Sequence, residues 1–234
     1  MGETARTDGG RQRRRLGLVS TLLVATAFVI IMAKGLSDFD RYLVTSYSMA
    51  NTLLPGDMVV VRGSEPYDCS AARGSVAREL PKRGEIWVYE RQSGRGDVMV
   101  KRVIGLPGDT ISMLTNIVMV NRIRLHEPYV SLGSGVDPSS RQFMWQREHL
   151  RPDIQLAEYR PTLGTWGPLI VPANAYFLLG DNRTASMDSR HHGFVRAEHM
   201  VARVVWIGFS YGIPDSDALP SQEVVRWDRI GRLR

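Results

Sequence analysis

The sequence predicts a mostly β protein carried behind a single N-terminal membrane-spanning helix, and three observations support that prediction. An uncharged apolar run, Leu16 to Ala33, fills 18 positions near the N-terminus. Beyond it, short Val/Ile/Met runs follow Gly-Asp or Gly-Glu turns, the punctuation of antiparallel sheet or barrel. Nothing between Tyr42 and Met200 shows a long 3.6-residue periodicity.

Composition bounds the reading. With 43% apolar and 23% charged residues in 234, the chain is folded and large enough for one large domain or two small ones. No internal repeat of 20–50 residues is visible, which sets aside solenoids and propellers. The charge is basic, 30 Lys+Arg against 24 Asp+Glu, and such chains favour nucleic acid or anionic membrane. The densest cluster, Arg11, Arg13, Arg14 and Arg15, directly precedes the apolar run, which points to membrane. The other arginines are scattered without a helix-turn-helix or zinc-finger pattern, so no nucleic-acid partner is expected. Cys69 is the only cysteine; it excludes an intrachain disulfide and reads as an ordinary free thiol.

As a helix, Leu16–Ala33 would rise about 27 Å, near the lower limit for crossing a hydrocarbon core. A cleaved leader has a shorter apolar stretch and a small-residue site after it. Here Ala25-Thr26-Ala27 falls inside the run and Lys34 follows it, so the run reads as an uncleaved anchor. Arg11–Arg15 outweighs the mixed charges Lys34, Asp38, Asp40 and Arg41. Residues 1–15 are then a cytoplasmic tail, 16–33 the anchor, and 34–234 lie outside the membrane.

Strands are expected at Met58–Val61 after Gly56-Asp57, at Ile86–Tyr89 after Gly84-Glu85, and at Thr110–Ser112 after Gly108-Asp109. Val98–Ile104 and Ala175–Leu179 add two more. Arg62–Arg83 reads as a surface loop, and the polar Ser131–Arg160, with Gly-Ser-Gly, Pro-Ser-Ser and Arg-Pro-Asp, as an excursion or accessory region.

Three segments carry residues suited to chemistry. In Ser46-Tyr47-Ser48-Met49, an extended backbone would place both serines on one face: a nucleophile with a neighbouring hydroxyl. Paired serines alone are more often surface residues. In Val98–Ile104, alternation puts Lys101 in an apolar row with Met99 and Val103. It is a snorkelling edge lysine or a desolvated base of lowered pKa. Gly180 to Arg190 follows an apolar strand with eleven mostly polar residues, more hydrogen-bonders than a turn needs. His191 and His192 offer a rival Ser/His/Asp arrangement with Asp188, although adjacent histidines beside Arg190 are more simply solvated. No H-E-x-x-H spacing exists, so no metal is expected. Gly105-Leu106-Pro107-Gly108 lacks the G-K-[ST] of a phosphate loop.

Taken together these segments resemble bacterial type I signal peptidase. The nucleophile box appears as Ser46-Tyr47-Ser48-Met49-Ala50-Asn51-Thr52-Leu53 with Gly56-Asp57, and the lysine box as Lys101 to Asp109. The third box, G-D-N-R-x-x-S-x-D-S-R-x-x-G, is matched by Gly180 to Gly193 throughout. Glu127-Pro128-Tyr129, Trp166-Gly167-Pro168 and Val225-Arg226-Trp227-Asp228 are weaker echoes. The resemblance implies an antiparallel β-sheet catalytic domain with a smaller inserted β region, roughly residues 114–170. It implies Ser48 as nucleophile, Lys101 as general base, Ser186 as a hydrogen-bond partner of the lysine amine, and Ser46 as an oxyanion donor. Asp188, Arg190, Asp181 and Arg102 would brace the site, and Val44, Met49, Leu53, Met99 and Val100 would line shallow substrate pockets. No cofactor is required. The implied partners are the phospholipid membrane and the signal peptides of exported pre-proteins, cut outside the cytoplasmic membrane.

One departure is Asn51, which stands where proline usually follows the nucleophile by three; proline fixes φ, whereas asparagine only tolerates the turn. Three alternatives stay open: a specialised relative maturing conjugative pilins or similar export substrates, a non-catalytic membrane-tethered module, and a self-cleaving SOS-type repressor. The anchor and the missing DNA-binding motif count against the last.

Overall fold

The structure, a computed structural model, describes residues 40–63, 79–91, 97–132, 140–212 and 224–233, with the side chains of Ser140, Arg141 and Arg232 excepted. The expected anchor at 16–33, the basic cluster before it, Cys69 and most of the 62–83 loop lie outside the described residues. Among those described, no helix is long and apolar enough to cross a membrane.

The expected fold class, mostly β and antiparallel, is what forms. The strands are β1 (Arg41–Leu43), β2 (Asp57–Arg62), β3 (Ile86–Glu90), β4 (Val98–Gly105), β5 (Thr110–Leu114), β6 (Ile117–Val120), β7 (Ile123–Arg124), β8 (Trp166–Ile170), β9 (Ala175–Leu179), β10 (Val195–Arg196), β11 (Met200–Gly212), β12 (Val224–Val225) and β13 (Gly231–Arg232). Among the described residues they make two sheets. The larger runs β1-β2-β11-β3-β4-β9-β10 with β12 and β13 also on β11, and the smaller runs β7-β6-β5-β8. The smaller sheet is built wholly from the stretch between β4 and β9.

Side-chain alternation explains the layering. Val59, Val61, Ile86, Val88, Ala202 and Val204 form one buried cluster with Val44, Met49 and Leu53, against which Val100 packs. The opposite parity, Trp87, Tyr89 and Val103, forms a second cluster with Leu178 and Met200, joined by Met99. A third cluster, including Ile104, Ile111, Val118, Leu169 and Phe177, draws on both sheets. Each such side chain contributes about 1.5–3 kcal/mol on burial.

One expectation is corrected. The segment holding the paired serines is extended only at Ser46 (φ −128°, ψ 157°); Tyr47–Met49 is a 3₁₀ turn. Hydrogen bonds from Ala50 N to Tyr47 O and from Leu53 N to Met49 O close it, so the chain reverses where a strand would carry it on. Within the excursion at 131–160, Ser140–His149 winds a 3₁₀ helix. With three residues per turn, such a helix leaves no 3.6-residue signal to read.

Candidate active site

The turn between β1 and β2 carries Ser48. Val44 N–H donates to Asp57 O (2.8 Å) and Gly56 N–H to Val44 O (2.9 Å), pinching the two ends together. Met49 (1% exposed) and Leu53 (0%) plug the turn into the core. Ser48 N–H takes no part in the backbone hydrogen bonds that tie the turn. Ser46 Oγ lies 3.1 Å from Ser48 Oγ, so the two hydroxyls meet although the backbone between them bends.

Lys101 arrives from the middle of β4, paired across the sheet with Trp87. It is 2% exposed, and its amine reaches Ser48 Oγ at 2.8 Å and the Val100 carbonyl at 3.0 Å. No carboxylate contacts it among the described residues. Burial disfavours the ammonium and lowers its pKa from 10.5 to about 8, with the negative charges of Asp188 and Asp181 resisting part of that fall. A Ser hydroxyl beside a buried amine of lowered basicity is a nucleophile–base pair able to attack a carbonyl without a metal.

Arg–carboxylate pairs surround this pocket. Arg102 grips Asp181 through Nε (2.8 Å) and Nη2 (2.6 Å), donates to Gly84 O, and lies 3.7 Å above the Tyr129 ring. Thr52 Oγ1 donates to Asp181 Oδ2 as well. Arg190 grips Asp188 through Nε and Nη2, both at 2.8 Å, and donates to Arg183 O. Gly180 N–H also donates to Asp188 Oδ2 (3.0 Å). Burial raises the Asp188 carboxyl, but the Arg190 charge and hydrogen bonds outweigh it and hold it down at about 2. Arg183 grips Glu127. These bidentate pairs fix the third-box segment, which is tied to the nucleophile turn by Asn182 N–H donating to Ser48 O and Asn182 Nδ2 to Tyr47 O, each at 3.2 Å.

Gly180 is required by close approach. A Cβ there would lie 2.2 Å from Ser186 Oγ and 2.4 Å from Ser48 O. Ser186 is thus packed beside the nucleophile, and its buried hydroxyl lies near enough to Asp188 to help hold that carboxyl down, without a well-formed hydrogen bond. Asn51 has φ +91° and donates to Tyr129 O, a conformation that proline, locked near −65°, cannot adopt.

The structure therefore brings Ser46, Ser48, Lys101 and Ser186 together and sets Arg102–Asp181 and Arg190–Asp188 around them. Val44 and Met49 are buried beside the turn, Met99 and Val100 are half-buried on β4, and Leu53 sits behind them with no exposed surface. The rival histidines are placed elsewhere. His191 packs on Phe143, burial lowers the pKa of both imidazoles, and Asp188 spends its oxygens on Arg190 and Gly180. Sequence reasoning missed Thr52, Glu127, Arg183 and the Asp57 cluster as parts of the frame. Glu127-Pro128-Tyr129 and Gly56-Asp57 stood out as motifs, but their partners lie far along the chain. Among the described residues no group of His, Cys, Asp and Glu is arranged to hold a metal ion.

The family profile described as signal peptidase, peptidase S26, matches residues 15–209. Signal peptidase I of Bacillus caldolyticus is 33% identical over 83% of this chain and 88% of its own. Signal peptidase I of Rickettsia bellii is 28% identical over 87% and 81%. A signal peptidase I crystal structure from Enterococcus faecalis, 28% identical, covers 54% of this chain and 97% of its own with a TM-score of 0.37.

Proposed function

Since the chain belongs to the signal peptidase family, peptidase S26, we propose that it is a serine endopeptidase that removes signal peptides from exported pre-proteins with a Ser48/Lys101 dyad. The observation that carries the reading is the 2.8 Å contact between Ser48 Oγ and the amine of a buried lysine with no carboxylate beside it.

The chemistry follows from that contact. Neutral Lys101 accepts the Ser48 proton as Oγ attacks the scissile carbonyl. The resulting oxyanion takes hydrogen bonds from Ser48 N–H and from Ser46 Oγ–H, which turns away from Ser48 Oγ as that oxygen bonds the carbonyl carbon. The lysine ammonium then protonates the leaving amine and returns to neutrality. Water deprotonated by Lys101 hydrolyses the acyl-enzyme and frees Ser48. Ser186 Oγ accepts a hydrogen bond from the ammonium in the charged intermediate, when the amine has protons to spare. Val44, Met49, Met99 and Val100 form the shallow walls against which the substrate lies, and Leu53 supports them from behind.

The family match begins at residue 15, so it includes the apolar run 16–33. We propose that this run anchors the protein in the cytoplasmic membrane, with 1–15 inside and the peptidase domain, including an accessory region near 114–170, outside.

Incubation of the detergent-solubilised full chain with a pre-protein tests the reading. Cleavage after the signal sequence, lost in Ser48→Ala, is the expected result. A Ser48→Ala protein that still cleaves, or a parent protein that binds and never cuts, would refute it.

A further inference from the structure

The family match ends at residue 209, yet the chain's last described segment, residues 224–233, reaches the nucleophile turn. We infer that this C-terminal strap positions Ser48, acting through Arg226, Arg229 and Asp57. The inference rests on the Ser48/Lys101 reading and adds a part of the machinery to it.

Asp57 closes the turn at the start of β2 and is fully buried. Its carboxylate accepts from Leu54 N–H (2.8 Å) within the turn and from Ser210 Oγ (2.7 Å) on β11. The remaining donors come from the strap. Arg229 Nε and Nη2 reach both oxygens, at 3.1 and 2.6 Å, and Arg226 Nη2 reaches Oδ1 at 3.2 Å. The same two guanidiniums also hold the turn's own main chain, Arg229 Nη2 at Thr52 O (3.0 Å) and Arg226 Nη2 at Pro55 O (2.7 Å).

A cap that only covered the sheet would need β12 and β13, which pair with Tyr211–Gly212 and with Trp206–Ile207 of β11. It would not need arginines on the carbonyls of residues four and seven places after the nucleophile. Thr52 shows the consequence most clearly. Its hydroxyl is gripped by Asp181 and Arg102 and its carbonyl by Arg229, so the turn is clamped between the third box and the strap. Gly56 makes the fit possible: at φ +87°, a Cβ would lie 1.9 Å from Tyr211 O and 3.2 Å from Arg226 Nη2. Letting go of one side of the clamp leaves Lys101 in place and allows Ser48 Oγ to drift from it. Displacements near 1 Å lower rates by as much as about 100-fold.

The test uses the full chain in detergent with a pre-protein substrate, well below the lowest unfolding midpoint of any variant, so that all are folded. Arg229→Ala should lose about 10- to 100-fold in kcat with KM within about twofold of the parent. Arg229→Lys, which can serve Asp57 or Thr52 O but not both, should fall between them. Asp228→Ala, exposed on the same strap, should match the parent. If the alanine variant does not fold, Arg229→Gln is read in the same way. A parental kcat in folded Arg229→Ala or Arg229→Gln, or a change confined to KM, overturns the inference. Ser48→Ala separates the two readings: if it is inactive while Arg229→Ala is normal, the dyad stands and only the strap's role falls.

Discussion

Lys101 and Arg102 are neighbours on β4 and both are buried, at 2% and 8% exposed, but only one of them has a carboxylate. Arg102 lies in a two-pronged contact with Asp181, while Lys101 touches a hydroxyl and a carbonyl. A guanidinium stays charged at any usable pH, so burying one demands a counter-ion. An ammonium can escape the same penalty by losing its proton. The difference teaches how one strand serves structure and chemistry at adjacent positions: the paired cation is a brace, and the unpaired one is a base.

The largest effects should come from breaking the base. Lys101→Arg keeps the charge but cannot deprotonate, and Lys101→Met cannot accept a proton; each should lower kcat/KM about 1,000-fold or more. The methionine variant should also be more stable than the parent. Lys101 titrates at about 8 when folded against an ordinary 10.5, so the unfolded chain binds more protons between those values and stability rises with pH through that window. Below about 8 the cost of the buried ammonium is fully present. Lys101→Met should therefore gain roughly 3 kcal/mol at neutral pH, a gain that fades towards pH 10.5. Thermal unfolding across that pH range measures it, and a destabilised methionine variant would erase the contrast with Arg102.

Arg102→Leu should act in the opposite sense. It strands the fully buried Asp181 carboxylate and should cost about 3–5 kcal/mol in urea unfolding. Ser46→Ala touches neither cation. It removes one oxyanion donor and should lower kcat about 100-fold with little change in KM, so normal turnover would take Ser46 out of the site. Asn51→Pro, which would place a proline three residues after the nucleophile, should be worse than Asn51→Gly. The observed φ of +91° is closed to proline, at a cost of about 1–3 kcal/mol. Equal stability of the proline and glycine variants would mean the turn follows another path.

Much of this contrast was legible in the sequence. Strands β2, β3 and β5 were announced by short apolar runs after glycine turns, β9 by an apolar run alone, and in β4 the apolar row Met99-Lys101-Val103 marked the lysine as anomalous. What stayed hidden was of two kinds. The long strand β11 reads as a nearly continuous apolar run, because its less buried positions, such as Val201, Trp206 and Phe209, are apolar too, and its register shifts against β2 and β3 break a strict period of two. The counter-ions were hidden by distance, since an arginine at 229 and an aspartate at 57 share no local pattern. The bend at Tyr47–Met49 had no signal either, because the same residues suit an extended strand. Local rules therefore found the base and its nucleophile but not the frame that holds them.

The pH dependence of kcat/KM for the parent enzyme tests the central claim most directly, because it reports the free enzyme's essential base. With Lys101 in that role, kcat/KM should climb about tenfold per pH unit on its acid limb and level off near pH 8. The limb should stay where it is in His191→Ala and His192→Ala. A limb below 6.5, where burial places these imidazoles, that disappears in either histidine variant would contradict the Ser48/Lys101 account.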